Sequence, residues 1–532
     1  MPHPAAAKQC TASTAVLAIV AATLLLVGAH AAAPPACAKY ATTKAATTCT
    51  RVWLTVNPKW DKAAFAALNP GVACPNLKRG VQICVAAAAP VRAVSVAIGN
   101  THTCAVLEDP ATGARGVKCF GDNRYGQLGQ GDRDPRVSLP QLGDALKAVD
   151  LGPGLNVSAL AAGMYFTCAL LVGKEGSAVK CWGDLNGYRP IGGSYPGQMG
   201  AALQPVSLGP SMVPSAIGVG DFHACAVLQP GGLVKCWGSN PVGELGQGDT
   251  RYRFPDDASA MGAGLPPVEL GHVGGGALPG PRVPLEAVAV VAGSRHTCAL
   301  LQPGGVVKCW GINNFGQLGQ GDTRNRGDGP DEMGNALEPV PLGTGLSAVA
   351  LSAGSSHTCA LLQPGGVVKC WGDNWYGQLG QGDMQPHGDL PGQMGDALKP
   401  VDLGPGLTAV AVSAGDEFTC ALLQPDGIVK CWGVGYNGRL GSGDRSIRGF
   451  RADQMGAALK PVELGRGLNA TGLAAGREHA CAVLQPGGLL KCWGSNSWGE
   501  LGQGDQSDRG DEEGEMGDAL KPVPLGRLAA AA

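Results

Sequence analysis

Residues 359 to 372 read Cys359-Ala360-Leu361-Leu362-Gln363-Pro364-Gly365-Gly366-Val367-Val368-Lys369-Cys370-Trp371-Gly372. A Gln-Pro-Gly-Gly turn between two apolar runs predicts an antiparallel hairpin in which Leu362 faces Val367, Leu361 faces Val368, Ala360 faces Lys369 and Cys359 faces Cys370. Opposed residues at a non-hydrogen-bonded position lie roughly 4.5 Å apart between Cα atoms, at the short end of what a disulfide accepts. The same frame recurs in Cys225 and Cys236, Cys298 and Cys309, Cys420 and Cys431, and Cys481 and Cys492. With longer turns it recurs in Cys104 and Cys119, and in Cys168 and Cys181. Seven hairpins therefore predict seven disulfides, each within one hairpin.

The hairpin is the centre of a longer unit. In the fifth copy four strand-like stretches follow one another, at 348–352, 357–362, 367–371 and 400–403. The fourth opens on proline in six copies (Pro205, Pro267, Pro339, Pro400, Pro461 and Pro522), with Ala148 in the remaining one. Proline offers no N–H to an inner ladder, so this stretch is expected at the outer edge of its sheet. Both faces of the hairpin are apolar, Leu361 and Val368 on one, Leu362, Val367 and Trp371 on the other. Each small sheet needs a neighbour on both sides, and a closed ring supplies that without terminal caps. The expected fold class is all-β: a seven-bladed β-propeller over residues 91–526 with a disulfide across each central hairpin, then an Ala-rich tail at 527–532.

Three recurrent elements give the unit a family likeness: Ala-Gly-x-x-His before the hairpin, Trp-Gly after it, and Asn-x-x-Gly-Gln-Leu-Gly-x-Gly-Asp beyond, complete in residues 371–383. Together they closely resemble the regulator-of-chromosome-condensation repeat, which implies a seven-bladed propeller. Departures are local. Phe120 stands for the Trp, copy two has Asp184-Leu185-Asn186-Gly187-Tyr188 in place of the Gly-Gln-Leu turn, and Arg439 replaces the Gln in copy six. The resemblance also implies an alternative function, guanine-nucleotide exchange or chromatin binding.

Cysteine use argues for a different compartment from that alternative. Of 19 cysteines, 14 fall in the hairpin pairs, Cys37, Cys49, Cys74 and Cys84 cluster ahead of them, and Cys10 is left over. Cys10 lies in a segment with Lys8, an apolar stretch from 14 to 27 and Ala29-His30-Ala31, the pattern of a signal peptide over 1–31. The rival is a signal anchor, since 13–33 is long enough to span a bilayer, so membrane association is expected only if this segment stays uncleaved. The expected location is secreted or on the extracellular surface, where disulfides persist. With 15% charged residues and a net charge of -2, no basic stripe is available to follow a phosphate backbone, and no nucleic-acid partner is expected. Asn156 and Asn469 head Asn-x-Ser/Thr acceptors at equivalent places and are expected to be surface glycan sites.

Residues 37–85 carry none of the repeat elements, and 86–90 is a short linker. The stretch from Leu68-Asn69-Pro70-Gly71 through Cys74-Pro75-Asn76-Leu77 and Gly80 to Ile83-Cys84-Val85 resembles the second half of a lysin motif (LysM), a βααβ module, with Tyr40 and Cys49 fitting its opening strand and first helix. That resemblance implies binding of N-acetylglucosamine (GlcNAc) polymers, chitin or peptidoglycan, by two loops, here Ala46-Thr47-Thr48 and Asn69-Pro70-Gly71. The usual Gly-Asp before Thr-Cys is replaced by Ala46-Thr47. The four cysteines allow three pairings, and the spacing does not choose among them. A module this small needs such staples.

The recurring polar residues have structural readings. His102, His223, His296, His357 and His479 share one repeat position, which suggests a metal ring, but Phe166 and Phe418 occupy it in two copies and cannot ligate. Buried histidines bonded to a neighbouring loop are expected instead, with no metal and no cofactor. Asp132, Asp249, Asp322, Asp383, Asp444 and Asp505 are expected to cap turns rather than hold calcium. Arg-Gly-Asp at 326–328 and 509–511 is a chance product of loops rich in those residues. What varies between copies is more informative for function. Before the Gly of the Gly-Gln-Leu turn stand Tyr125, Val242, Phe315, Tyr376, Asn437 and Trp498, with Trp375 and Tyr436 one place earlier. Tyr125, Phe315, Trp375, Tyr376, Tyr436 and Trp498 share one rim, where they either pack under adjoining loops or form a protein-binding patch. No carboxylate pair stands out, so an enzyme, for instance a glycan hydrolase, is not expected. The leading expectation is a secreted binding protein that docks on a GlcNAc-containing glycan through the lysin-like module and presents a propeller rim to an unknown protein partner.

Overall fold

The computed structural model describes residues 40–42, 82–84, 91–174, 176–273 and 283–528. The chain divides into two units. In the first, Tyr40–Thr42 and Gln82–Cys84 pair antiparallel, with Tyr40 opposite Cys84. The residues expected to contact sugar (Ala46, Thr47, Thr48, Asn69, Pro70 and Gly71), Cys37, Cys49 and Cys74, and the leader at 1–31 lie outside the described residues.

The second unit is a ring of seven blades. Their three strands are Arg92–Ile98, His102–Glu108 and Arg115–Gly121 in blade 1; Leu155–Ala162, Phe166–Gly173 and Gly176–Asp184 in blade 2; Val213–Val219, His223–Gln229 and Leu233–Gly238 in blade 3; Glu286–Ala292, His296–Gln302 and Val306–Gly311 in blade 4; Ser347–Ala353, His357–Gln363 and Val367–Gly372 in blade 5; Thr408–Ala414, Phe418–Gln424 and Ile428–Gly433 in blade 6; and Asn469–Ala475, His479–Gln485 and Leu489–Gly494 in blade 7. The central hairpin has the expected register residue for residue: Cys359 opposite Cys370, Leu361 opposite Val368, Leu362 opposite Val367.

All seven expected disulfides are closed, each within its own hairpin. Cys104 is joined to Cys119, Cys168 to Cys181, Cys298 to Cys309, Cys359 to Cys370 and Cys420 to Cys431, with Cα atoms 4.1 Å apart in each. Cys225 is joined to Cys236 and Cys481 to Cys492, with Cα atoms 4.0 Å apart. The longer turns of blades 1 and 2 leave this geometry unchanged, because Cys104 still lies opposite Cys119 and Cys168 opposite Cys181 in the ladder. The Cα separation is somewhat shorter than the roughly 4.5 Å of an ordinary non-hydrogen-bonded pair.

The fourth strand is where the structure departs from the sequence reading. Blades 1 and 3 to 7 have three strands, and blade 2 adds Pro190–Gly192 as a fourth. The Pro-Val stretch joins its own blade's third strand by one backbone bond: Val401 N donates to Val368 O at 2.8 Å, and Val149, Val206, Val268, Val340, Val462 and Val523 do the same. The preceding residue is proline in six blades and Ala148 in blade 1, yet the pairing is the same single bond in all seven.

Core lies between blades rather than within them. The disulfide face of one blade packs on the tryptophan face of the next: Cys359, Leu361, Val368 and Cys370 of blade 5 meet Ala409, Ala421, Leu423 and Trp432 of blade 6. Blade 7 meets blade 1 in the same way, with Cys481, Val483, Leu490 and Cys492 against Ala105, Leu107 and Phe120. Every blade is made from one continuous piece of chain, and the ring closes by repeating this contact a seventh time.

The histidines show the same closure in polar terms. His Nε2 of one blade meets a Thr hydroxyl of the next at 2.8–2.9 Å in His102–Thr167, His223–Thr297, His296–Thr358, His357–Thr419 and, across the closure, His479–Thr103. The two phenylalanines each face alanine instead, Phe166 beside Ala224 and Phe418 beside Ala480. The partner is thus the neighbouring blade's second strand, not a loop. Each of those threonines gives its one proton to a backbone carbonyl, for example Thr358 Oγ1 to Gln317 O at 3.0 Å and Thr419 Oγ1 to Gln378 O at 2.8 Å. His Nε2 must therefore carry the proton donated to the threonine oxygen, which leaves Nδ1 bare. No group reaches any of the five Nδ1 atoms. Burial accordingly holds these imidazoles neutral, lowering their pKa from 6.5 to about 3 or 4.

The sequence pattern gives no sign of a third layer. The lysine before each second cysteine is buried, and its ammonium donates to two carbonyls, one on the last segment of the preceding blade and one in its own blade's outer loop. Lys369 Nζ lies 3.0 Å from Leu342 O and 2.8 Å from Gly395 O. Lys118 makes the equivalent bonds to Leu525 O at 2.7 Å and Gly143 O at 3.0 Å, tying the end of the ring to its beginning. Nearest the axis, the glycines of Ala-Gly-x-x-His touch in sequence round the ring. A Cβ on Gly354 would overlap Gly415 O, and one on Gly476 would lie 2.9 Å from Gly99 O, so no larger residue lets the blades approach this closely.

Candidate protein-binding face

One face of the ring carries the hairpin turns, and the other carries the connections from first to second strands and the segments that leave the third strands. The Asn-x-x-Gly-Gln-Leu-Gly-x-Gly-Asp segment builds the second face. In blade 5, Asn374 Oδ1 accepts Leu379 N at 3.0 Å while its amide donates to Asp383 O and Oδ1, and Gln378 Oε1 accepts Tyr376 N at 2.9 Å. Gly377 has φ +75, and a Cβ there would lie 2.5 Å from Phe450 N of the next blade's loop. The turn is thereby locked, and the two residues between Asn374 and Gly377 are pushed outward.

Asp383 accepts Gln385 N at 3.0 Å, the expected turn cap. The equivalent aspartates also pair with the residue four places on, as in Asp322–Arg326 at 2.7 Å and Asp505–Arg509 at 2.6 Å. Both Arg-Gly-Asp arginines are therefore engaged internally, and Asp511 is buried against Arg445. Neither tripeptide is presented.

The rim aromatics divide into two groups. Tyr125 is half-buried, 4.3 Å between centroids from Tyr165, which in turn lies 6.5 Å from Phe222. Trp498 is half-buried beneath the Arg124 guanidinium at 3.8 Å, and Arg124 pairs with buried Asp122 at 3.0 Å. These side chains form an arc over blades 7, 1, 2 and 3. On the other side Phe315 meets Trp375 edge-on at 6.1 Å. Trp375 remains 58% exposed and Tyr436 51% exposed, while Tyr376 is half-buried. Outer loops of this face add exposed Tyr188, Tyr195, Tyr252, Met384 and Leu390.

Inside this rim lie the two variable residues of Ala-Gly-x-x-His, which sequence reasoning passes over. They supply Tyr165 and Phe222 to the arc. In blades 6 and 7 they are Asp416-Glu417 and Arg477-Glu478. Arg477 pairs with Asp416 at 3.4 Å, and buried Arg439 reaches Glu478 at 3.7 Å. Burial, then the Asp416 charge, raises the pKa of Glu417, and burial raises that of Asp373. The signal that would find them is their variability inside an otherwise fixed motif.

Asn156 and Asn469 pair with Val172 and Gln485 next to the hairpin turns, so both acceptors are on the opposite face, and Asn469 is exposed there. Among the described residues no cluster of three metal-ligating side chains occurs, and no helix is long and apolar enough to cross a membrane.

This architecture agrees with the comparisons to known proteins. Models of the regulator of chromosome condensation (RCC1) repeat match residues 215–244, 287–317, 348–378 and 409–439 in one form and 117–170, 305–361 and 366–422 in another. The chain thus carries RCC1 repeats in an RCC1-like propeller. Among curated proteins it is similar to the ultraviolet-B receptor UVR8 of Arabidopsis thaliana, 31% identical over 297 residues, covering 55% of this chain and 56% of the receptor. It is also similar to the human E3 ubiquitin-protein ligase HERC2, 29% identical over 405 residues, which is 75% of this chain and 7% of the ligase. The chain therefore spans just over half of the first relative and a small part of the second. Two solved structures share the fold. Yeast RCC1 (Prp20), bound to Kap60, has a TM-score of 0.51 at 20% identity over 72% of this chain and 78% of its own. Human WBSCR16 has a TM-score of 0.51 at 19% identity over 76% and 92%.

Proposed function

We propose that this chain is a non-catalytic binding protein whose propeller offers the face opposite the hairpin turns to a protein partner. The observation that carries this reading is the concentration of large exposed side chains there. Trp375, Tyr436, Tyr188, Tyr195 and Tyr252 are each more than half exposed, whereas the repeated Trp, His, Lys and Cys are spent on blade contacts. Exposed aromatics grouped on one surface of a rigid scaffold are characteristic of protein interfaces. Yeast RCC1, which shares the fold, has been seen bound to Kap60. A regulatory role of the kind the RCC1 name denotes would place the same demand on this face.

Seven hairpin disulfides favour an oxidising setting, so the partner is sought outside the cell. Glycans at Asn156 and Asn469 would leave the aromatic face clear. Docking of the lysin-like segment on a GlcNAc polymer is a separate part of the reading, supported by the motif residues from Asn69 to Cys84. Retention of the full chain on insoluble chitin or peptidoglycan, lost in Asn69→Ala, is the outcome it requires.

The protein-binding reading is tested by affinity capture from extracellular fluid with the wild type, a Trp375→Ala/Tyr436→Ala double variant and Val410→Ser on the opposite face. A protein retained by wild type and Val410→Ser but not by the double variant supports it. Capture indifferent to both changes refutes it.

A further inference from the structure

Resting on the protein-binding reading, we infer that the sector of this face on blades 5 to 7 docks a basic segment of the partner protein, with apolar residues of that segment seated on Trp375 and Tyr436. The two exposed aromatics stand on neighbouring blades, and the surface between and inside them is acidic. Asp373 accepts the backbone N–H of Trp375 at 3.2 Å, and Arg439 Nε donates to Tyr436 O at 3.1 Å, which fixes both aromatic turns to the charged residues behind them. Arg477 is spent on Asp416 and Arg439 on Glu478, which leaves Asp373 and Glu417 without an ion pair among the described residues. The outer loop of blade 7 adds exposed Glu512 and Glu513.

The charge pattern selects the occupant. Carboxylates held near one another on a partly desolvated surface repel, and a cationic side chain arriving between them relieves that repulsion while cation–π contact with Trp375 or Tyr436 adds to it. An acidic segment would meet the opposite balance, and a phosphate backbone would be repelled. The arc on blades 7, 1, 2 and 3 differs in kind: there Arg124 already fills the cationic position over Trp498.

The test selects a random peptide library displayed on phage against the full chain, then measures labelled synthetic copies of the enriched peptides by fluorescence anisotropy at low and high salt. The expected result is enrichment of Lys or Arg beside apolar residues, with affinity about tenfold weaker for Glu417→Lys and for Trp375→Ala, and weaker at high salt. Glu417→Gln should show a smaller loss in the same direction, and a thermal midpoint equal to that of the wild type excludes misfolding. Enriched peptides that lack basic residues, or that ignore Glu417→Lys, overturn the basic-segment assignment. If such peptides still lose affinity in Trp375→Ala, the binding face itself survives. Indifference to every one of these substitutions, or no enrichment at all, removes both.

Discussion

At the scale of single residues, the pairing of His with Thr and Phe with Ala makes a prediction that the chain has already run on itself. Thr419→Ala removes the acceptor of a buried imidazole N–H and should cost about 1–3 kcal/mol. His357→Phe alone sets a ring against the Thr419 hydroxyl and should also destabilise. The double variant His357→Phe/Thr419→Ala recreates the combination present in Phe166–Ala224, so it should recover most of the loss. Denaturant midpoints of the four proteins give the coupling energy, and simple additivity of the two single changes would contradict the pairing. Tryptophan offers a second comparison. Trp371 Nε1 donates to Gln317 O at 3.0 Å, whereas Trp237 Nε1 has no partner because blade 2 lacks the Gly-Gln-Leu turn that would supply the carbonyl. Trp371→Phe should therefore be more destabilising than Trp237→Phe by about 1 kcal/mol, the net value of one such bond.

The hairpin is the element from which the rest follows, and its register is legible in the sequence because a turn of fixed length between two apolar runs leaves one pairing. Removing one bridge as Cys359→Ala/Cys370→Ala should lower stability by up to about 3 kcal/mol, since the closed loop is short. The cysteines of all seven bridges, Cys181 and Cys431 of blades 2 and 6 included, are no more than 5% exposed, so reductant should open them only on unfolding, in step with loss of near-UV circular dichroism. Thiols that react in the native state would show the bridges to be open. The fourth strand is the element the sequence misrepresents: proline correctly marks the sheet edge, but only the structure shows that one hydrogen bond, not a ladder, joins the segment to its own sheet. The next blade holds it as well: its lysine bonds the Leu carbonyl two residues on, as Lys430 does to Leu403 O at 2.9 Å, and an outer-loop glycine N–H bonds the carbonyl between, as Gly456 does to Asp402 O at 3.0 Å.

For the whole ring, the buried histidines dictate a pH dependence. Their folded pKa of about 3 or 4 is below the unfolded 6.5, so the unfolded chain binds more protons in the interval between. Their contribution is complete above about pH 6.5 and is lost as pH falls toward the folded values. Each contributes about 1.4 kcal/mol per pH unit in that window. Glu500, raised to about 7 by burial, acts in the opposite sense, since its neutral form is the one the fold favours. The carboxyls of Asp221, Glu244, Asp373, Glu417 and Asp508, also raised by burial, act in the same sense as Glu500, so the histidine contribution is read as the difference between the wild type and a variant that lacks one imidazole. Between pH 7 and 5 the urea midpoint of the wild type should fall more steeply, or rise less, than that of His357→Phe/Thr419→Ala; parallel profiles would contradict the assignment.

Strand pairing, disulfide partners, blade number and the outer edge position of Pro-Val are local properties of the chain, decided by turn length, side-chain alternation and the missing proline donor. The order of blades is also latent there, because each His or Phe needs its Thr or Ala one repeat later, but that pairing acquires meaning only once neighbouring sheets are stacked. Lys369 and its six counterparts read as ordinary solvent-facing strand residues until carbonyls of the preceding blade and of their own outer loop surround them. The aromatic and acidic residues of the candidate face come from separate blades, and closing the ring is what gathers them, because proximity across a propeller is set by rotation about its axis rather than by distance along the chain.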